Sequence, residues 1–257
     1  RGYLKEPAQA KDVQVVGSEE HHAKEMQIAR EAITLLKNDN QTLPLTGSEK
    51  SIVLLGRFET DGPTISYTID HLKQSGFVSQ DAYVHNLATG KTSGNSNAST
   101  SIVIDYYLQK DGDTKFKEHY TDELAQAIGK ASAVVVFTAC NSAEAIANDA
   151  PQHLCVARAI EQAHAAGAKF VLMTNSLPYD AARYQQADAI LATYLSAGLD
   201  QDPTTRKDGS ANMGAVNANV IAGLNVLFGE ASPNGKLPMG VPTAQENADG
   251  TAEFSAT

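Results

Sequence analysis

Four short apolar runs constrain this chain more than anything else in it. They are Ser51-Ile52-Val53-Leu54-Leu55-Gly56, Ala133-Val134-Val135-Val136-Phe137-Thr138, Lys169-Phe170-Val171-Leu172-Met173-Thr174 and Ala189-Ile190-Leu191-Ala192-Thr193-Tyr194. Each is continuously apolar rather than alternating, the pattern of a strand buried on both faces of a parallel sheet. Between them the spacing predicts helices over 122–130, 151–166 and 179–186, with a further helix over 215–228. Gly167 falls where a left-handed helix end is expected. Strands alternating with helices imply right-handed crossovers, and so an α/β chain built as a three-layer α/β/α sandwich with a mostly parallel sheet.

The remaining segments fit round that pattern. Residues 1–17 are polar and read as a lead-in arm. Ser18 before Glu19 and Glu20 reads as a helix N-cap. Met26, Ala29, Ile33 and Leu36 recur at steps of three and four, which predicts a helix through Leu36 that ends at Asn38-Asp39-Asn40. A helix over 64–74 follows the first apolar run. Residues 81–87 read as a strand, 90–99 as a low-complexity surface loop, 101–107 as an extra strand and 110–117 as a turn. Residues 198–213 read as a Gly/Asp/Ser-rich loop, and Leu237 to Val241 closes the pattern.

Composition excludes several functions. With 42% hydrophobic residues, the 257-residue chain can bury a large core. Lys and Arg number 20 against 30 Asp and Glu, a net charge of −10, and the cations are scattered, which argues against nucleic-acid partners. No apolar run approaches the roughly 20 residues of a membrane span. Cys140 and Cys155 could bridge, which would point to an oxidising compartment, or remain buried thiols, the reading favoured for a core this large. The seven histidines form no metal spacing such as His-Glu-x-x-His, so no metal site is expected. No Gly-x-Ser-x-Gly elbow is present, His85 stands where a phosphate loop before Gly90-Lys91-Thr92 needs glycine, and Gly56 opens no G-x-G-x-x-G. No cofactor is expected.

Four segments, in order, resemble the C-terminal α/β sandwich domain of glycoside hydrolase family 3. They are Ala29 to Asp39 with Leu43-Pro44-Leu45, the 133–138 strand, Asn175-Ser176-Leu177-Pro178-Tyr179-Asp180-Ala181-Ala182 with the strand after it, and Val226-Leu227-Phe228-Gly229 through Gly235-Lys236-Leu237-Pro238. The Pro178-Tyr179-Asp180 segment is most similar to the two-domain bacterial β-N-acetylglucosaminidases. The 77–120 region is longer than the family's pattern, and the end of the chain lacks its usual "YPLGYGL"-like close. The resemblance implies a domain over 18–243 with a polar tail over 244–257, preceded by an N-terminal (β/α)₈ barrel of the same protein. It further implies a carbohydrate substrate derived from the cell wall. The expected setting is a bacterium, at the cell surface or in the cytoplasm, with any targeting segment upstream of Arg1.

A retaining glycosidase needs a nucleophilic carboxylate and a proton donor roughly 5 Å apart. In this family the nucleophile lies on the barrel, so the chain alone is expected to be inactive. In the glucosidase branch the acid/base Glu follows the third strand of this domain. The matching loop is Ala139-Cys140-Asn141-Ser142-Ala143-Glu144, which makes Glu144 the candidate, beside the plainer reading of a solvated loop glutamate. In the glucosaminidase branch an Asp-His pair on the barrel supplies the proton instead. Asn175, Tyr179 and Asp180 stand at a strand's C-terminal end, where open α/β sheets bind ligands, and could edge a sugar cleft. The structural alternative has Asp180 capping the next helix and Tyr179 packing beneath it. Two other functions remain: a non-catalytic glycan- or partner-binding module, and a flavodoxin-like protein resting on fold analogy alone.

Overall fold

A computed structural model describes residues 19–56, 63–111, 115–140, 143–175, 177–194, 218–237, 240–241, 244–246 and 252–254. The expected arm over 1–17, the cap at Ser18, the loop over 198–213 and most of the tail lie outside the described residues.

Twelve strands and five helices are described. The strands are β1 (Thr34–Asn38), β2 (Ser51–Gly56), β3 (Tyr83–Asn86), β4 (Thr92–Ser93), β5 (Ser101–Tyr106), β6 (Leu108–Asp111), β7 (Lys115–Glu118), β8 (Ala133–Thr138), β9 (Lys169–Thr174), β10 (Ala189–Ala192), β11 (Ala244–Glu246) and β12 (Ala252–Phe254). The helices are α1 (Glu19–Ala32), α2 (Pro63–Gln74), α3 (Asp122–Ile128), α4 (Pro151–Ala165) and α5 (Ala218–Leu227). Eight strands form one sheet in the order β1-β10-β9-β8-β2-β5-β3-β4. The six inner strands run parallel, while β1 and β4 pair antiparallel at the two edges.

The continuous apolar runs separate residue by residue into two cores, because successive strand side chains point to opposite faces. Ile52, Leu54, Val135, Phe137, Val171, Met173, Ala189 and Leu191 face one cluster, with Ala29 of α1, Leu72 of α2 and Leu224 of α5. Val53, Leu55, Val134, Val136, Phe170, Leu172 and Ile190 face the other, with Leu124 of α3 and Val156 of α4. Helices on both faces of a mostly parallel sheet make the three-layer sandwich that the alternation predicts. The Thr121 hydroxyl caps α3 by accepting from Leu124 N at 3.1 Å, and Gly167 closes α4 at φ +71°.

Two expectations are corrected here. The first helix stops at Ala32, not Leu36, and Thr34–Asn38 turns instead into β1. There Thr34 pairs with Ala192 and Leu35 with Leu191, covering what would otherwise be the open edge of β10. Ile33 and Thr34 are β-branched, so the cost of leaving the helix is small where the edge pairing rewards it. Second, the strand after the polar loop is no appendage: β5 lies inside the sheet between β2 and β3, and the loop itself contributes β4. The 110–117 turn belongs to a two-stranded hairpin of β6 and β7. Residues 232–237 form no regular element but are anchored, and Pro238 and Met239 of the closing stretch lie outside the described residues. Gly235 N donates to Ile33 O at 2.9 Å. A Cβ at Gly235 would lie 2.1 Å from Ala32 O, so the Gly-Lys-Leu segment seats on the α1–β1 joint only because residue 235 has no side chain. Leu45 N likewise donates to Leu227 O at 2.8 Å, tying residue 45 to the end of α5.

Candidate functional site

The carboxyl ends of β8, β9 and β10 carry a row of threonines: Thr138 and Thr174 paired in register, and Thr193 directly after β10. All three are buried. A threonine suits a sheet end because its branched body fits the strand while its hydroxyl binds groups in the following loop.

Asn175 and Asp180 bind these hydroxyls from above. Thr193 Oγ1 donates to Asn175 Oδ1 at 2.8 Å, and Asn175 N donates to Thr138 O at 2.8 Å. Thr138 Oγ1 donates to Asp180 Oδ2 at 2.5 Å. Asp180 is fully buried, and burial pushes its carboxyl up to about 6, against the opposing pull of the Thr138 and Thr174 hydroxyls and its backbone donors. The Thr174 hydroxyl and Asp180 Oδ1 are near enough for this influence, yet neither completes a hydrogen bond.

Asp180 therefore braces a strand end, and it lies inside the turn that follows rather than at its cap position. The one-turn 3₁₀ helix Pro178–Ala182 replaces the expected helix over 179–186, and its cap residue Leu177 makes no side-chain cap bond. Tyr179 does not pack beneath the turn. It projects outward, 37% exposed, beside Leu177 at 50%. Of the three residues singled out by sequence, Asn175 and Asp180 thus face inward and Tyr179 faces solvent.

Glu144 lies on the 3₁₀ turn Ala143–Ile146 after β8, with its side chain exposed. Asn141 and Ser142 of the same loop lie outside the described residues. The following stretch is held by a contact that sequence did not reveal: Arg183 Nη2 donates to Asn148 Oδ1 at 2.7 Å and to His153 Nε2 at 2.8 Å. Tyr184, next in sequence, is buried against the His153 ring with centroids 5.8 Å apart. Burial and the nearby Asp180 carboxylate both raise its phenol pKa. Arg183, His153 and Glu161 line a groove of about 440 Å³ between α4 and residues 182–186.

A second buried acid sits at the end of β5. Asp105 accepts from the backbone N of Tyr106 at 2.8 Å through Oδ1, while His119 Nε2 stands 3.8 Å away and Oδ2 has no partner. Burial pushes Asp105 up to about 7 and pushes His119 down. Cys140 and Cys155 are both buried thiols rather than a bridge. Cys155 Sγ donates to Tyr107 O at 2.9 Å, and burial raises its pKa to about 12, which makes it a poor nucleophile. Among the described residues, no group of three or more His, Cys, Asp or Glu could hold a metal. No described helix is long and apolar enough to cross a membrane.

A doubly covered parallel sheet with a polar rim at its carboxyl edge places that rim where open α/β folds bind their ligands. The family model of the glycosyl hydrolase family 3 C-terminal domain matches residues 33–256, and the chain belongs to that family. No curated protein matches it. Solved structures with the same fold include a fungal multi-domain family 3 β-N-acetylglucosaminidase, at TM-score 0.53 and 19% identity, covering 97% of this chain and 22% of that one. Others are a Listeria innocua β-glucosidase in complex with isofagomine, at TM-score 0.55 and 16% identity, covering 94% and 30%, and an Erythrobacter marinus β-glucosidase, at 0.52 and 15%, covering 88% and 30%. The chain therefore spans between about a fifth and a third of those proteins' length.

Proposed function

We propose that residues 18–243 form the C-terminal domain of a β-N-acetylglucosaminidase-like family 3 glycosidase. It would hydrolyse O-glycosyl bonds in cell-wall-derived sugars, with residues 1–17 as a linker and 244–257 as a tail. In this reading the domain docks against an N-terminal (β/α)₈ barrel that carries the nucleophile, and it is inactive alone.

The observation that carries the reading is the turn Leu177–Asp180. Asp180 is pinned beneath it while Leu177 and Tyr179 project into solvent at the carboxyl edge of the sheet. A ring held on a braced turn is suited to pack against a sugar, whose C–H faces are apolar. The fungal β-N-acetylglucosaminidase named above, with the same fold, agrees with this reading.

The test is turnover of nitrophenyl N-acetylglucosaminide by the chain alone and by the chain joined to its barrel. Activity is expected only in the second case, and robust turnover by the isolated chain would overturn the reading. One observation favours a second arrangement, in which this domain supplies the acid/base. Glu144 is exposed on the carboxyl side of β8, on the same edge of the sheet.

A further inference from the structure

Arg183 is buried, with 9% of the residue exposed, yet among the described residues it meets no carboxylate. Neither partner of its Nη2 carries a negative charge: they are the Asn148 amide oxygen and a ring nitrogen of His153. A guanidinium never loses its proton in a protein, so this is a buried charge with no carboxylate in direct contact among the described residues. Acids are not in short supply, since Asp and Glu exceed Lys and Arg by 30 to 20. The two closest in sequence to Arg183 are engaged elsewhere. Asp180 turns inward to Thr138, and Asp188 Oδ2 accepts from Phe170 N at 2.7 Å and faces His164 at 3.3 Å. Glu161 lines the same groove, on the solvent-facing side of α4.

We propose that the groove between α4 and residues 182–186 binds a compact oxyanion, a phosphate or carboxylate group, with Arg183 as its charged anchor and His153 as its neighbour. The arginine's remaining N–H groups make no hydrogen bond among the described residues, and the residue opens onto a groove of about 440 Å³, ample for one such group and its attached moiety. The planar fork of a guanidinium matches the paired oxygens of both chemistries. Glu161 sets the limit on the ligand. Its negative charge in the same groove favours a single oxyanion held at the Arg183 end over an extended polyanion. No feature of this site depends on the glycosidase reading.

Calorimetry on the full chain would titrate inorganic phosphate and, separately, acetate, each against chloride at equal ionic strength. Saturable binding of either supports the site, and the preferred ion tells a phosphoryl group from a carboxylate. In Arg183→Gln the affinity should fall roughly tenfold to a hundredfold, the worth of one charge-assisted hydrogen bond. Because Arg183 also holds Asn148, a variant-free measurement runs alongside. In the wild-type chain the His153 ring resonances should shift along the same isotherm, while those of His85 on β3 stay fixed. Three results would each overturn the proposal: no saturable binding of either ion, undiminished affinity in a folded Arg183→Gln, or binding that leaves His153 unmoved.

Discussion

Asp105 and Asp180 are two carboxyls that folding takes out of water without giving either a cation in close contact. Their pKa values rise from an ordinary carboxyl to about 7 and about 6, so the folded chain holds their protons more tightly than the unfolded chain does. Stability from such groups is full below the unfolded carboxyl pKa. It drains away as pH rises through the folded values, here between about pH 4 and 7. Asp105→Asn keeps an acceptor for Tyr106 N and removes the titration. It should raise stability at pH 8 by on the order of 2–4 kcal/mol and leave it nearly unchanged at pH 4, as read from urea unfolding at both pH values. Asp180 separates bracing from charge. Asp180→Asn should keep or slightly raise stability at pH 8, with Nδ2 offered to the otherwise unpartnered Thr174 hydroxyl. Asp180→Ala should cost about 2–4 kcal/mol by orphaning buried hydroxyls and leaving a cavity. Equal losses in both variants would mean that the negative charge itself is what the strand ends need.

At the scale of elements, two segments far apart in sequence prove to be one joint. Residues 32–34 and 235 touch backbone to backbone, and residue 45 is bonded to the last turn of α5. Gly235→Ala would force a Cβ to within 2.1 Å of the Ala32 carbonyl oxygen, and neither side is a flexible side chain that could move away. A loss of about 3 kcal/mol is expected, roughly 6–12 °C in thermal midpoint for a domain of this size. Gly76→Ala is the control. Its φ of +77° strains any L-residue, but nothing lies within 4 Å, so only the conformational cost of about 1–2 kcal/mol should appear. The sequence made the parallel sheet legible because its strands are continuously apolar. It misassigned residues 33–36 because the short apolar run Ile33-Thr34-Leu35-Leu36 fits the end of a helix face and a short edge strand equally well. What decided the matter was β10, some 155 residues away, which needed its edge covered. The Arg183–His153 contact left no local signal at all, since it joins a turn to a helix across 30 residues.

At the scale of the whole molecule, the proposed pairing with an N-terminal barrel allows the proton to come from either side of that interface. An exposed Glu144 at the carboxyl edge of β8 can reach a neighbouring domain, whereas the buried Asp180 and Asp105 cannot. If Glu144 is the acid/base, Glu144→Gln in the chain joined to its barrel should lower kcat on a poor leaving group such as a methyl glycoside by about 10²–10⁴-fold, the usual worth of general acid catalysis. A dinitrophenyl glycoside needs no protonation of its leaving group, so its glycosylation step should be largely spared. An added small nucleophile such as azide should then restore turnover by taking over the base's role in the second step. If the Asp-His arrangement on a barrel loop supplies the proton, Glu144→Gln should leave both substrates within about twofold of the parent. A change in KM alone would place Glu144 in binding instead. The two outcomes differ by orders of magnitude, and they decide whether Glu144 takes part in the chemistry of the proposed two-domain enzyme.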